Sequence, residues 1–399
     1  MWGISKEQQS LRNKLTLPIF TYAHFAEHLA PHLLVPLLPF IRDYFGLTYF
    51  QAGMVISAYS FAAGVANLFM GWLADRVGSR PLLIIGIGGV GLFSVAIGLS
   101  GSYTQILVFS VLVGVFSGAY HPCAVTSLSR HFDARNRGRV LGLHLVGGTL
   151  SLMVGPILGG LLAELYGWGS AFIFLAIPCL PLIFLFPWLL QKSVDKSRTA
   201  SDSVQNGTKP PISVAQMLRP VAAVISLALV TQLIAVGLIS MLPVYLVDQR
   251  QVSPVVAAML LGLMRGGGVI GAPLGGYFSD RLGRKKSIFI AIIAVGLLLF
   301  LTTITAWGIF LLILLPMLGL ATAFKQPSVQ SLLTESVPFG RQSTTLGFYF
   351  FFAAEGRSLM VPLIGYLMDA IGLTETYMVM SIAGVACSLT AAFLLKKGA

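Results

Sequence analysis

Apolar stretches of roughly twenty residues recur along the whole chain, and this recurrence limits its fold more than any other feature. A helix needs about 20 mostly apolar residues to cross the hydrocarbon of a bilayer. Runs of that kind lie near 16–41, 50–73, 81–99, 104–129, 138–164, 169–190, 219–247, 253–277, 286–305, 307–334, 342–368 and 375–395. They predict an all-α membrane protein with twelve transmembrane helices. Membrane β-barrels are built instead from short strands of alternating polarity. With 56% hydrophobic and 10% charged residues, the chain has far less charge than the roughly one quarter usual in soluble domains. Lipid is therefore its expected solvent.

The net charge of +12 would suit nucleic acid only if it formed a patch or stripe. It sits instead in short loops between apolar runs, so the bilayer is the expected partner and nucleic acid is not. Numbered from an inside N-terminus, the inside segments hold 21 of the 26 lysines and arginines, whereas the outside loops hold only Arg42 and Arg250. The positive-inside rule then places both termini in the cytoplasm. Lys6, Arg12 and Lys14 resemble the charged start of a signal peptide. The apolar stretch after them is long, however, carries Glu27 and three histidines, and lacks a small-residue cleavage site, so it reads as a retained first span. Cys123, Cys179 and Cys387 lie singly within apolar runs and read as packing residues rather than a disulfide or zinc framework.

The segment 191–218 is rich in Ser, Lys and Pro and has little to bury, as expected of a flexible linker. It divides the chain into a six-span bundle at 1–190 and another at 219–399. The halves repeat. Gly71-Trp-Leu-Ala-Asp75-Arg76-Val-Gly78-Ser-Arg80 matches Gly276-Tyr-Phe-Ser-Asp280-Arg281-Leu-Gly283-Arg-Lys285 at an offset of 205, which also sets Pro122 on Pro327 and Leu141-Gly142 on Leu346-Gly347. Three matches at one offset indicate duplication.

With these motifs in place, the chain resembles the major facilitator superfamily over its full length. GWLADRVGSRP is similar to that superfamily's hallmark loop between spans 2 and 3, and it recurs between spans 8 and 9. The resemblance implies two pseudo-symmetric six-helix bundles. It also implies a charge network at the cytoplasmic face that acts as a conformational gate, carried here by Asp75, Arg76 and Arg80 and by Asp280, Arg281 and Lys285. A turn whose arginines only set topology is the alternative. Span 5 resembles the superfamily's antiporter motif through Gly142, Gly155, Pro156, Gly159 and Gly160, with Ser151 in place of one glycine. There the glycines permit close helix contact and Pro156 bends the helix. His24-Phe-Ala-Glu27-His28 with Pro36-Leu-Leu-Pro39, and Ala119-Tyr-His121-Pro122, resemble the fosmidomycin-resistance-type branch of drug exporters. The chain departs from typical drug–proton antiporters in having Gly114 where they carry an arginine in span 4, and His32 where many carry an acidic residue.

Ionisable groups at membrane depth are costly and point to function. Glu27 lies about 18 Å into span 1 at 1.5 Å per residue, which makes it a candidate for reversible protonation. His24, His28 and His32 recur at i, i+4 and i+8 and share one helix face with it. They are candidates for proton work or for lining a cavity. A metal site would need further ligands that the sequence does not show, so none is assigned. The repeat sets Glu27 on Gln232, His121 on Gln326 and Tyr120 on Lys325. Since the family lines its central cavity with spans 1, 4, 7 and 10, the resemblance places Glu27, His121, Gln232, Lys325 and Gln326 around one site, with Tyr120 a further cavity candidate beside His121. Interhelical hydrogen bonding is the alternative for each. Arg265, Glu355 and Arg357 are the remaining intramembrane charges. Three cations against two carboxylates would suit an anionic substrate such as a phosphonate or carboxylate.

Gly86-x-Gly88-x-x-Gly91 fits a dinucleotide fingerprint but lies inside span 3, away from any strand–helix turn. P-loop, HExxH and GxSxG patterns are missing from the sequence, so neither ATP-driven transport nor hydrolysis is expected, and no cofactor. The expected protein is a monomeric secondary transporter of the plasma membrane, on this resemblance the bacterial inner membrane. It is expected to exchange protons for a small drug or metabolite by alternating access. An importing symporter or facilitator would share these features. A non-transporting receptor or scaffold, the reading from another class, would not need paired intramembrane charges.

Overall fold

A computed structural model describes residues 6–132, 137–190, 222–336 and 342–396. Within it each apolar run is helical, because a backbone facing hydrocarbon must satisfy its own N–H and C=O groups. The helices are α1 (Lys6–Leu29), α2 (Leu38–Phe45), α3 (Tyr49–Val77), α4 (Ser79–Gly98), α5 (Tyr103–His131), α6 (Arg137–Tyr166), α7 (Trp168–Ala176), α8 (Leu180–Leu189), α9 (Ala222–Arg250), α10 (Pro254–Leu282), α11 (Arg284–Ile304), α12 (Ile309–Glu335), α13 (Gln342–Ile371) and α14 (Leu373–Lys396). Among the described residues, ten helical segments are long and apolar enough to cross a membrane, α7 and α8 counting together as one.

Two expected spans fall outside that set. The run at 16–41 is not one helix. It divides into α1, a 3-10 turn at Pro31–Leu34 and α2, because Pro31, Pro36 and Pro39 lack the N–H groups that would carry the helix on. His32 therefore stands on the 3-10 turn rather than on the α-helical stripe. The run at 342–368 is helical, within α13, and part of that helix's side chains lie outside the described residues.

By their contacts, the described residues within Met1–Leu33 and Ala58–Lys209 form one compact unit, and those within Leu34–Ser57 and Pro210–Ala399 another. The 191–218 segment expected to divide the chain lies outside the described residues. The stretch 34–57 belongs by sequence to the first repeat but has its contacts in the second unit. There Arg42 forms an ion pair with Asp248, and the Tyr49 hydroxyl donates to the same carboxylate at 2.7 Å. Asp369 accepts from the first free backbone N–H groups of α3, Tyr49 at 2.9 Å and Phe50 at 2.8 Å. A carboxylate there satisfies orphan donors and the positive end of the helix dipole together.

The 205-residue repeat extends to the element boundaries. α3, α4 and α7 start at Tyr49, Ser79 and Trp168; α10, α11 and α14 start 205 residues on, at Pro254, Arg284 and Leu373. Packing follows the same register. In the first unit α1 lies on α6, and α4 on α5, α7 and α8. In the second α9 lies on α13, and α11 on α12 and α14.

Gly78 (φ 87°, ψ 155°) and Gly283 (φ 89°, ψ 152°) form the break between two helices in each hallmark loop. That backbone region is essentially closed to residues with a Cβ and costs them roughly 1–3 kcal/mol. Gly283→Ala is expected to lower the thermal midpoint of the detergent-solubilised protein. Gly276→Ala, where an added Cβ meets nothing within 4 Å, should leave the midpoint within error. Equal midpoints for the two variants would refute the assignment of strain.

Candidate functional site

The polar centre of the first unit is built on α1, α5 and α6. Glu27 is wholly buried. The Ser117 hydroxyl on α5 donates to its Oε1 in a short hydrogen bond, and the Tyr59 hydroxyl on α3 lies 3.3 Å from Ser117 Oγ. With the Ser117 proton committed to the carboxylate, its oxygen is the acceptor from Tyr59. Oε2 faces two imidazoles, His28 Nδ1 at 3.2 Å and His121 Nε2 at 3.8 Å. Neither contact has hydrogen-bond geometry, and Oε2 and His28 Nδ1 are both buried without a hydrogen-bond partner.

Five of the chain's six histidines converge around this carboxylate. The His28 ring stacks on His32 at 4.5 Å and lies 4.8 Å from His24 and 5.1 Å from His121. His24 stacks on His144 of α6 at 4.4 Å. Two of the rings are held by backbone: His24 Nδ1 lies 3.0 Å from the His144 carbonyl, and His144 Nδ1 3.1 Å from the Phe20 carbonyl. Since a carbonyl only accepts, each Nδ1 carries the proton and each Nε2 is left with its lone pair. The donor atoms of His24, His28 and His121 lie within 4.8 Å of one another, a spacing from which a metal ion could be held. His121 is the most open of the set, with 36% of its side chain exposed.

Glycines on α6 make room for this arrangement. A Cβ on Gly147 would lie 2.0 Å from the Thr21 carbonyl oxygen of α1, and one on Gly148 would lie 2.6 Å from His24 Nε2. Of the span 5 residues singled out in sequence, Gly159 packs against Leu33, Gly155 touches Leu29 at ordinary distance, and Pro156 and Gly160 are buried. Gly142 meets nothing within 4 Å, so helix contact is made at Gly147 rather than there.

Thus the structure brings together Glu27, His24, His28, His32 and His121. Tyr120 is fully buried, its hydroxyl donating to the Phe20 carbonyl at 2.9 Å; it ties α5 to α1. Ser117, Tyr59 and His144 are the members of the site that sequence reasoning misses. Ser117 has a usable signal, since it stands one turn before His121 on the same face. His144 has none beyond belonging to a scarce residue type.

The remaining candidates belong to the second unit. Lys325 is buried and donates to the Ala228 carbonyl at 3.0 Å. Gln232 Oε1 and Glu355 Oε1 are buried without a hydrogen-bond partner, while Glu355 Oε2 accepts from Ser358 at 3.2 Å. Arg265 and Arg357 are half-buried. Gln326 is half-buried.

In the hallmark loops, Arg76 lies over the Trp72 ring at 3.9 Å and Arg281 over Tyr277 at 4.4 Å, cation–π pairs at equivalent positions of the repeat. Arg80 donates to the Pro187 carbonyl at 3.2 Å. Asp280 is paired by Arg284, which also holds Glu335 at 3.0 Å; Arg284 is not among the residues singled out in sequence. Lys285 is half-buried. The Asp75 side chain lies outside the described residues.

The fold is similar to that of membrane transporters of known structure. A bacterial homologue of the human lysosomal transporter Spinster, in its inward-facing and occupied conformation, superposes with a TM-score of 0.78 over 97% of each chain at 15% identity. A POT family transporter in complex with a thioalcohol-conjugated peptide gives 0.75 over 96% of each chain, at 12% identity. The sequence profile of the Major Facilitator Superfamily matches residues 21–359 and 266–398. The chain belongs to that superfamily: it is a multi-pass membrane transporter and not an enzyme. It is 27% identical over 312 residues, 75% of either chain, to multidrug resistance protein MdtG of Escherichia coli, in strain UMN026 and likewise in K12.

Gly147→Ala is expected to destabilise the protein strongly, since the added Cβ meets backbone and one helix must shift; overpacking of this kind costs about 1–3 kcal/mol or more. Gly142→Ala on the same helix should be neutral. Thermal unfolding of the two purified variants checks this, and a neutral Gly147→Ala would contradict the close α1–α6 approach.

Proposed function

We propose that this transporter exports a small drug or metabolite, the anionic class being the one its intramembrane cations suit, in exchange for protons. The reading is carried by one observation: a wholly buried carboxylate, Glu27, is held between a hydroxyl chain and two imidazoles. The chain around it is similar to a multidrug resistance protein. A carboxylate without a cationic partner at such a depth is costly. Protonation removes that cost, and His28 and His121 are positioned to deliver or receive the proton. In this reading the proton on Glu27 favours one of two alternately open states, and it can shift their balance only by its differential affinity for them. The hallmark loops gate the cycle at the cytoplasmic face, where both termini lie, and the protein works as a monomer in the bacterial inner membrane.

The test is growth of an efflux-deficient bacterium on a panel of toxic compounds that includes fosmidomycin, with wild type, Glu27→Gln and empty vector at equal expression. Wild type is expected to protect against at least one compound and Glu27→Gln to lose that protection. In everted vesicles the same compound should dissipate a preformed proton gradient in wild type only. Substrate uptake instead of efflux would replace the exporter reading with an importer.

A further inference from the structure

The polar centre of the first unit has the composition of a metal site as well as that of a proton carrier. Three imidazoles and one carboxylate are nitrogen and oxygen donors of the kind that bind zinc-class dications. Glu27 Oε2 and His28 Nδ1 are both buried and both lack a hydrogen-bond partner, although they face each other at 3.2 Å. At that distance and without hydrogen-bond geometry neither atom satisfies the other; a cation held by both would satisfy the two together.

The spacing also fits. Ligands about 2.0–2.1 Å from a tetrahedral zinc ion stand about 3.3 Å apart. His28 Nδ1 to Glu27 Oε2 is already there at 3.2 Å, and His121 Nε2 needs to close by only a few tenths of an ångström from 3.8 Å. His24 has a donor within 4.8 Å of the other two imidazoles, so its ring must move inward to complete a set of four. Its Nδ1 is tied to the His144 carbonyl at 3.0 Å. A carbonyl bonded to the far nitrogen in this way sets the tautomer of a metal-binding histidine. His28 and His121, with 14% and 36% of their side chains exposed, form the more open edge of the cluster.

We infer that Glu27, His28, His121 and His24 form a binding site for a transition-metal dication of the zinc class. Imidazole-rich ligands select Zn²⁺, Co²⁺ and Ni²⁺ over Mg²⁺ and Ca²⁺, which prefer oxygen. The repeat sharpens the assignment: the equivalent positions in the second half are Gln232, Leu233, Gln326 and Leu229, so the site exists once per chain. The inference stands without the export reading. Metal and proton are alternative occupants of the same carboxylate, and metal binding is measured on the protein alone.

The test uses the full-length protein, purified in detergent with its affinity tag removed, titrated with Co²⁺ by visible absorption and with Zn²⁺ by calorimetry. One equivalent of Co²⁺ should give the intense bands of a tetrahedral complex, and one equivalent of Zn²⁺ should displace it. His28→Gln, His121→Gln and Glu27→Gln should each weaken Zn²⁺ binding at least about tenfold, whereas His131→Gln, outside the cluster, should bind like wild type. Zn²⁺ but not Mg²⁺ should raise the thermal midpoint of wild type, a readout independent of whether any variant folds. A wild type that takes up neither Co²⁺ nor Zn²⁺, variants that bind as wild type does, or equal stabilisation by Mg²⁺ and Zn²⁺ would each overturn the site. Metal binding by a wild type that exports no drug would support the site and count against the export reading alone.

Discussion

Hydrocarbon offers no hydrogen bonds, and most of this structure follows from that. Backbone that faces lipid must close its own hydrogen bonds, so the apolar runs become helices. With no hydrophobic force to press helices together in lipid, they associate by close approach. Gly147 against the Thr21 carbonyl, Gly267 against Pro316 and Gly275 against Phe324 are positions where an added Cβ would lie 2.0 Å from a neighbouring backbone oxygen. The same constraint makes polar side chains at depth answer to particular neighbours, as Tyr120 does to Phe20 and Lys325 to Ala228.

Against that background the two halves share a scaffold and differ in chemistry. Helix starts, the left-handed glycines of the hallmark loops and the arginine–aromatic pairs beside them all recur 205 residues on. The titratable centre does not recur. Glu27 and His121 of the first half become Gln232 and Gln326 in the second, which keeps hydrogen-bonding capacity and drops ionisation. Duplication supplied the helix frame twice; a carboxylate ringed by imidazoles was built on it once.

Both readings of that centre, proton carrier and metal ligand, grow from one electrostatic fact. A buried carboxylate with an unsatisfied oxygen is unstable unless something positive reaches it. Ser117 answers one oxygen of Glu27. The other faces imidazole nitrogens without a hydrogen bond to it, and in either reading a cation would satisfy it.

The all-helical membrane fold, the family, the repeat and the gathering of Glu27 with the span 1 histidines were legible in the sequence. The reason is that hydropathy, loop charge and helical periodicity are local or strictly periodic signals. The hidden parts depended on packing between segments far apart in the chain. His144 joins the cluster only because α6 lies on α1, and Ser117 reaches Glu27 only because α5 turns that face inward. Arg42 finds Asp248 across more than two hundred residues. The break of the first span at Pro31–Leu34 turned on three prolines whose effect on a long apolar run is not visible in its hydropathy. Sequence by itself determined what must be buried in lipid; only the tertiary structure decided which buried groups meet, because one-dimensional periodicity sets the face of a helix but not its neighbour.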